Sequence, residues 1–141
     1  MFGLMSNPAA AYSKAGVETQ VDTSSPHQLV LMLFDGALSV IATASMHMQA
    51  KRIQLKGESI GKAIDIIDGG LKACLDYKAG GELAEKLGAL YEYMCIRLLH
   101  ANLRNDQAAL DEVSGLLKEL RGAWEEIAND PAVLSRTKVA A

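Results

Sequence analysis

The chain has 141 residues, 50% of them hydrophobic, 22% charged and 5% aromatic, with a net charge of -3. That length suits one domain with a single core, and the abundance of Ala, Leu, Glu, Lys and Met favours helices over a β-rich fold. The mildly acidic balance weighs against nucleic acid or an anionic membrane as the main partner. Cys74 and Cys95 sit inside apolar helical patterns without CxxC spacing. They read as reduced core residues of a cytoplasmic protein.

Residues 1–22 hold Asn7-Pro8, an alanine run, then Tyr12, Val17 and Val21 among polar neighbours. No helical period is sustained there, which predicts a mobile N-terminal arm with a few apolar anchors. It has neither the basic start nor the apolar stretch of a secretory signal. A bundle domain is expected over 23–130, followed by a frayed tail over 131–141 that Pro131 introduces.

The first helix is predicted to start at Ser25-Pro26-His27-Gln28, where Ser25 caps, Pro26 takes the first helical position and Gln28 completes a capping box. It is expected to run to about Lys51 or later, with a break near Lys56-Gly57. From Thr23 to Ala50 its only formal charge is Asp35, so apolar side chains lie almost all round it. Such a segment is buried on more than one side. It approaches the roughly 20 residues of a membrane span, but a mid-helix carboxylate would cost a few kcal/mol in lipid. Membrane insertion is not expected.

A second helix is predicted from about Glu58 to Tyr77, apolar at Ile60, Ile64, Ile67, Leu71, Cys74 and Leu75. Gly69-Gly70 within it favours close helix packing rather than an end. Ala79-Gly80-Gly81 is the clearest turn. The third helix then carries Leu83, Leu87, Leu90, Met94, Leu98 and Ala101 as one stripe. Tyr91, Cys95, Ile96, Leu99 and Leu103 extend it onto a second face. Asn105-Asp106 makes the next turn and cap. The fourth helix repeats apolar residues at Leu110, Val113, Leu117, Leu120, Trp124 and Ile127, an unbroken a/d pattern with an acidic outer face. The expected fold is all-α: an antiparallel up-down four-helix bundle.

Chemistry is sparse. His27, His47 and His100 have no glutamate three residues before them, so the paired motif of a bundle di-iron site is missing and no metal or other cofactor is expected. Histidine-phosphotransfer modules are bundles of this size, but Leu-Lys-Gly follows neither His47 nor His100 in the manner they use. No nucleophile elbow, phosphate-binding loop or zincin motif is present, and no catalytic residue is assigned. The remaining feature is apolar surface in excess of one interface, on the first and third helices, with Met32, Met46, Met48 and Met94 among it. Adaptable thioethers suit a surface that accepts helices, so the residues alone describe a helix-in-groove binding module. A self-complementary homodimer and a phosphotransfer module stand as alternatives.

The run Ser25-Pro26-His27-Gln28-Leu29-Val30-Leu31-Met32-Leu33-Phe34-Asp35-Gly36-Ala37 resembles the SPHELVLMLYDGA motif of the FliS flagellar secretion chaperone family. Lys62 to Ile67 matches its KAIDII, Ala101 to Asp106 its ANLxND, and Ala123 to Ile127 resembles its AWxEI. Phe34 departs from the usual tyrosine, and Leu55-Lys56-Gly57 and Gly69-Gly70 also differ. The resemblance implies a cytosolic bundle chaperone that binds the disordered C-terminal segment of flagellin as helices in apolar grooves. It would prevent premature polymerisation and present the cargo to the flagellar export gate. It also implies an N-terminal arm that occupies part of the binding surface when cargo is absent. The residues expected to meet the partner are Leu29, Met32, Leu33, Tyr91, Met94 and Leu98, with Tyr12 and Val17 on the arm.

Overall fold

A computed structural model describes residues 25–128, which form four α-helices: α1 Pro26–Gln49, α2 Ile53–Ile66, α3 Tyr77–Arg104 and α4 Gln107–Ala128. The expected arm and tail, and with them Tyr12 and Val17, lie outside the described residues. Among the described residues there is no strand. Short connections force neighbours to run antiparallel, and α1 packs on α2 and α4 while α3 closes the ring against the same two.

The start of α1 follows its sequence. Ser25 is extended and its hydroxyl accepts from the Gln28 N–H at 3.4 Å, with Pro26 beside it in the first turn. The end does not. The helix stops at Gln49, and Lys51 takes a left-handed conformation with φ 60°. Lys51 N–H then donates to Met48 O at 3.1 Å and Arg52 N–H to His47 O at 2.9 Å. This pair of bonds is the Schellman closure, which absorbs the last orphan carbonyls. Glycine normally fills that position, so nothing in the residue types announced it. The break expected at Lys56-Gly57 is therefore absent, and α2 begins before it.

Lys56 is instead buried, with its Nζ donating to Asn102 O at 2.9 Å and to the Asn105 side-chain oxygen. An ammonium from α2 thus satisfies carbonyls at the C-terminus of α3, where the helix dipole is negative. Asn105 itself is left-handed (φ 50°, ψ 47°), a conformation asparagine tolerates. Asp106 begins α4 by accepting from the Ala109 N–H at 3.3 Å. Lys51, Lys56 and Asn105 mark one end of the bundle, called here the closed end.

The opposite end is less regular. After Ile66 the backbone widens into a π-helical turn, Ile67–Leu71, and then tightens into a 3₁₀ turn, Lys72–Cys74. Gly70 lies in the widened turn because a Cβ there would stand 3.1 Å from a Leu33 methyl. Asp76 caps α3 by accepting from the Lys78 and Ala79 N–H groups, both at 3.0 Å. The turn expected at Ala79–Gly81 appears as a kink: α3 runs through it, but Gly81 has φ 51° and ψ -126°. This is a left-handed angle that glycine adopts without penalty.

The core is one contiguous cluster. It takes Leu33, Phe34, Ala37, Ile41 and Ala44 from α1, and Ile60, Ala63 and Ile66 from α2. Tyr91, Met94, Leu98 and Ala101 come from α3, and Ala109, Leu110, Val113 and Leu117 from α4. α1 is long and apolar enough by composition to cross a membrane. Its one carboxylate is answered within the bundle: Arg121 of α4 donates through Nε to Asp35 Oδ1 at 2.5 Å and through Nη2 to Oδ2 at 3.4 Å.

Candidate docking cleft

The α4 stripe leaves the core before the helix ends. Leu117 is fully buried, Leu120 and Trp124 are half-buried, and Ile127 is exposed. These residues face the start of α3 and α1 across an open apolar cleft of about 210 Å³. Three helices and the irregular turns after α2 contribute to it. α1 supplies Val30 and Phe34, and the π and 3₁₀ turns after α2, with the residue that follows them, supply Leu71, Cys74 and Leu75. α3 supplies Leu83, Leu87 and Tyr91, and α4 supplies Leu120, Ala123, Trp124 and Ile127. A second hollow of about 270 Å³ adjoins it, lined by Pro26, His27, Leu29, Val30, Cys74 and Trp124.

Trp124 separates the two hollows and braces the mouth. Its indole N–H donates to His27 O at 3.2 Å, and the two rings lie 4.8 Å apart at 34°. The kink at Gly81 lets the first turn of α3 fold back, so that Tyr77 lies against Gly88; a Cβ on Gly88 would stand 2.6 Å from the phenol oxygen. Arg121 bridges Asp35 to Glu125, whose Oε1 it reaches at 3.3 Å. Desolvation pushes the Tyr91 phenol up to about 12 and raises the thiol of Cys74, which is exposed at the cleft rather than a core residue, so both line the cleft as neutral groups.

The hollow is apolar and walled by side chains from α1, α3, α4 and the irregular turns after α2, the lining of a site that binds apolar surface. Among the described residues no group of three or more His, Cys, Asp and Glu could hold a metal ion. His100 Nε2 lies 3.1 Å from the carboxylate of Asp106, the residue that caps α4.

The structure divides the residues expected to meet a partner. Tyr91 lines the main cleft and Leu29 the adjoining hollow. Met32 is half-buried on α1 and lines neither. Leu33, Met94 and Leu98 are 1% exposed or less and are spent on the core. The reason lies on α3, whose small residues Ala84, Gly88 and Ala101 share the Met94–Leu98 face and let the other helices approach it. Sequence reading missed Val30, Leu75, Leu83, Leu87 and the α4 residues as cleft lining. Trp124 and Ile127 lay in plain view, as the last two members of the α4 stripe.

A profile of the family described as flagellar protein FliS matches residues 8–131. The flagellar secretion chaperone FliS of Salmonella typhimurium is 51% identical over 117 residues, which cover 83% of this chain and 87% of that protein.

The chain belongs to the FliS family.

The Escherichia coli flagellar secretion chaperone FliS is 48% identical over 124 residues, 88% of this chain and 91% of its own. The Bacillus subtilis protein of that name is 35% identical over 120 residues, 85% of each. Chaperone is a non-enzymatic role, and as a FliS protein this chain is read as a flagellar export chaperone. The cleft, rather than a catalytic centre, is then the part of the fold to explain.

Proposed function

We propose that this chain is a cytosolic export chaperone for flagellin. In this reading it holds the C-terminal segment of flagellin as helix in the cleft at the open end, prevents premature polymerisation and delivers the cargo to the flagellar export gate. The observation that carries the proposal is the cleft itself: an apolar hollow, walled by α1, α3, α4 and the turns after α2, at the end where the α4 stripe outruns the core. Leu83 and Ile127 stand exposed on opposite sides of it and supply the first apolar contacts.

A disordered tail that folds on binding gives up about 2–5 kcal/mol or more in ordering. Apolar burial at roughly 25 cal/mol per Å² offsets that cost, and no chemistry is needed. The N-terminal arm, through Tyr12 and Val17, covers the same apolar surface in the absence of cargo.

Calorimetry with a synthetic flagellin C-terminal peptide tests the reading. Binding should bring a large negative heat-capacity change, a gain in helical circular dichroism and a shift in the emission of Trp124, the chain's single tryptophan. Leu83→Asp and Ile127→Glu should weaken binding with folding intact, because both side chains are already exposed. No binding at tens of micromolar, or binding indifferent to both substitutions, would sink it.

A further inference from the structure

The outer face of α3 carries a second heptad seam. Glu85, Ala89, Glu92, Ile96, Leu99 and Leu103 recur at alternating spacings of four and three, the a/d rule of helices that pack on helices. All six are exposed, with Ile96 at 64%, Leu99 at 52% and Leu103 at 79%. On a helical wheel this seam lies opposite the buried stripe of Tyr91, Met94, Leu98 and Ala101, so no other helix of the bundle can cover it. It is also distinct from the cleft, which uses Leu83, Leu87 and Tyr91 of the same helix.

The seam is polar at one end and apolar at the other. Its apolar half lies toward the closed end. Its other half is acidic: Glu92 lies beside Lys72, whose Nζ is 3.7 Å from Glu92 and 3.8 Å from Asp68. One ammonium is thus shared between two carboxylates, and Glu85 adds a third negative charge one heptad, or two turns, further on.

We propose that this seam docks an amphipathic helix of another protein, running antiparallel to α3, with leucine-like residues over Ile96, Leu99 and Leu103 and lysine or arginine over Glu92 and Glu85. The charge pattern fixes the direction. Cations are favoured near a helix C-terminus, and only the antiparallel arrangement brings the C-terminal turns of the docked helix over the acidic half. A second copy of the chain fits less well. Two α3 helices paired antiparallel about Leu99 would set Ile96 against Leu103, but α3 ends at Arg104. The seam beyond Glu92 would then face no helix. The site is separate from the cleft and does not depend on what the cleft holds.

The probe is a synthetic peptide of about three heptads. It carries leucine at its seam positions in the N-terminal half and lysine at those in the C-terminal half, and its twin has glutamate in place of the lysines. With the full chain, anisotropy of the labelled peptide should show the lysine form binding at least roughly tenfold more tightly than its twin. Leu99→Glu or Leu103→Glu should weaken that binding at least roughly tenfold, and Glu92→Lys should reverse the preference between the peptides. Emission from Trp124 should stay unchanged, since the cleft is not involved. Equal affinity for both peptides, binding that survives Leu99→Glu, or no binding at about 100 µM would overturn the proposal. A shift in Trp124 emission would overturn it by placing the peptide in the cleft. A dimer by sedimentation that Leu99→Glu dissolves would overturn it by giving the seam to a second copy.

Discussion

The indole N–H of Trp124 donates to the carbonyl oxygen of His27 at 3.2 Å, joining the last turns of α4 to the first turn of α1. This bond crosses the point where two apolar hollows meet, so one side chain both lines the site and holds its mouth in shape.

Trp124→Phe keeps an aromatic surface and removes the donor. A net hydrogen bond contributes about 0.5–1.5 kcal/mol, and the unfolding free energy from urea melts should fall by about that amount. Peptide affinity at the cleft should weaken along with it, because the two helix ends are no longer tied.

Lys56→Met should be more damaging than a substitution at any exposed lysine. Its ammonium is buried and answers Asn102 O and the Asn105 side chain. Without it, a carbonyl at a helix C-terminus is left under a buried methionine. An unanswered buried polar group costs about 1–3 kcal/mol, whereas Lys62→Met, at an exposed position, should stay within about 0.5 kcal/mol. Chemical denaturation of the two variants separates the cases.

Two glycines should respond to alanine with opposite signs. Gly115 is exposed within α4 and a Cβ there meets nothing within 4 Å. Gly115→Ala should raise stability by up to about 1 kcal/mol through helix propensity. Gly88→Ala would drive a Cβ to 2.6 Å from the Tyr77 phenol oxygen. The half-exposed Tyr77 ring must swing out of its place against α3, and the lost packing should outweigh the gain in helix propensity, so the variant should melt at lower temperature.

The Tyr93–Arg97–Glu112 cluster gives stability a pH dependence. The phenol of Tyr93, and then the guanidinium of Arg97 at 2.7 Å, donate to Glu112 and hold its carboxyl below the usual range. A depressed carboxylate stabilises the fold above its unfolded pKa, and that contribution disappears as pH falls through the folded value. The same bond raises Tyr93, whose contribution persists through neutral pH and is lost as pH rises through its elevated value. The groups face solvent, so the effect should be small and screened by salt. Urea midpoints measured against pH should decline less steeply on the acid side for Glu112→Gln than for the parent chain.

The starts of α1 and α4 and the a/d stripe of α4 were legible because they rest on local chemistry. Ser25-Pro26 caps with its own side chain, and Asn105-Asp106 turns and caps with residues suited to both tasks. Lys51 and Lys56 were not legible. The left-handed turn at Lys51 is a local closure onto the Met48 carbonyl that the residue type does not announce, and buried Lys56 is answered by Asn102 and Asn105, which lie 46 and 49 residues away in sequence. The family was readable from motifs spread along the chain, yet its binding residues were not. α3 has two seams of comparable hydrophobicity, and only the tertiary approach permitted by Ala84, Gly88 and Ala101 decides that Met94 and Leu98 go inward while Leu99 and Leu103 stay out.

The uneven backbone along the bundle axis has a dynamic consequence. The π turn of Ile67–Leu71, the 3₁₀ turn of Lys72–Cys74 and the bend at Gly81 all fall at the cleft end, while the far end is fastened by the Schellman closure and the Lys56 ammonium. Amide protons near the cleft should therefore exchange through small local openings, and those around Ala101 and Leu110 only through global unfolding. The bundle then behaves as a tweezer with a stiff hinge and compliant tips, able to admit segments of differing girth without melting.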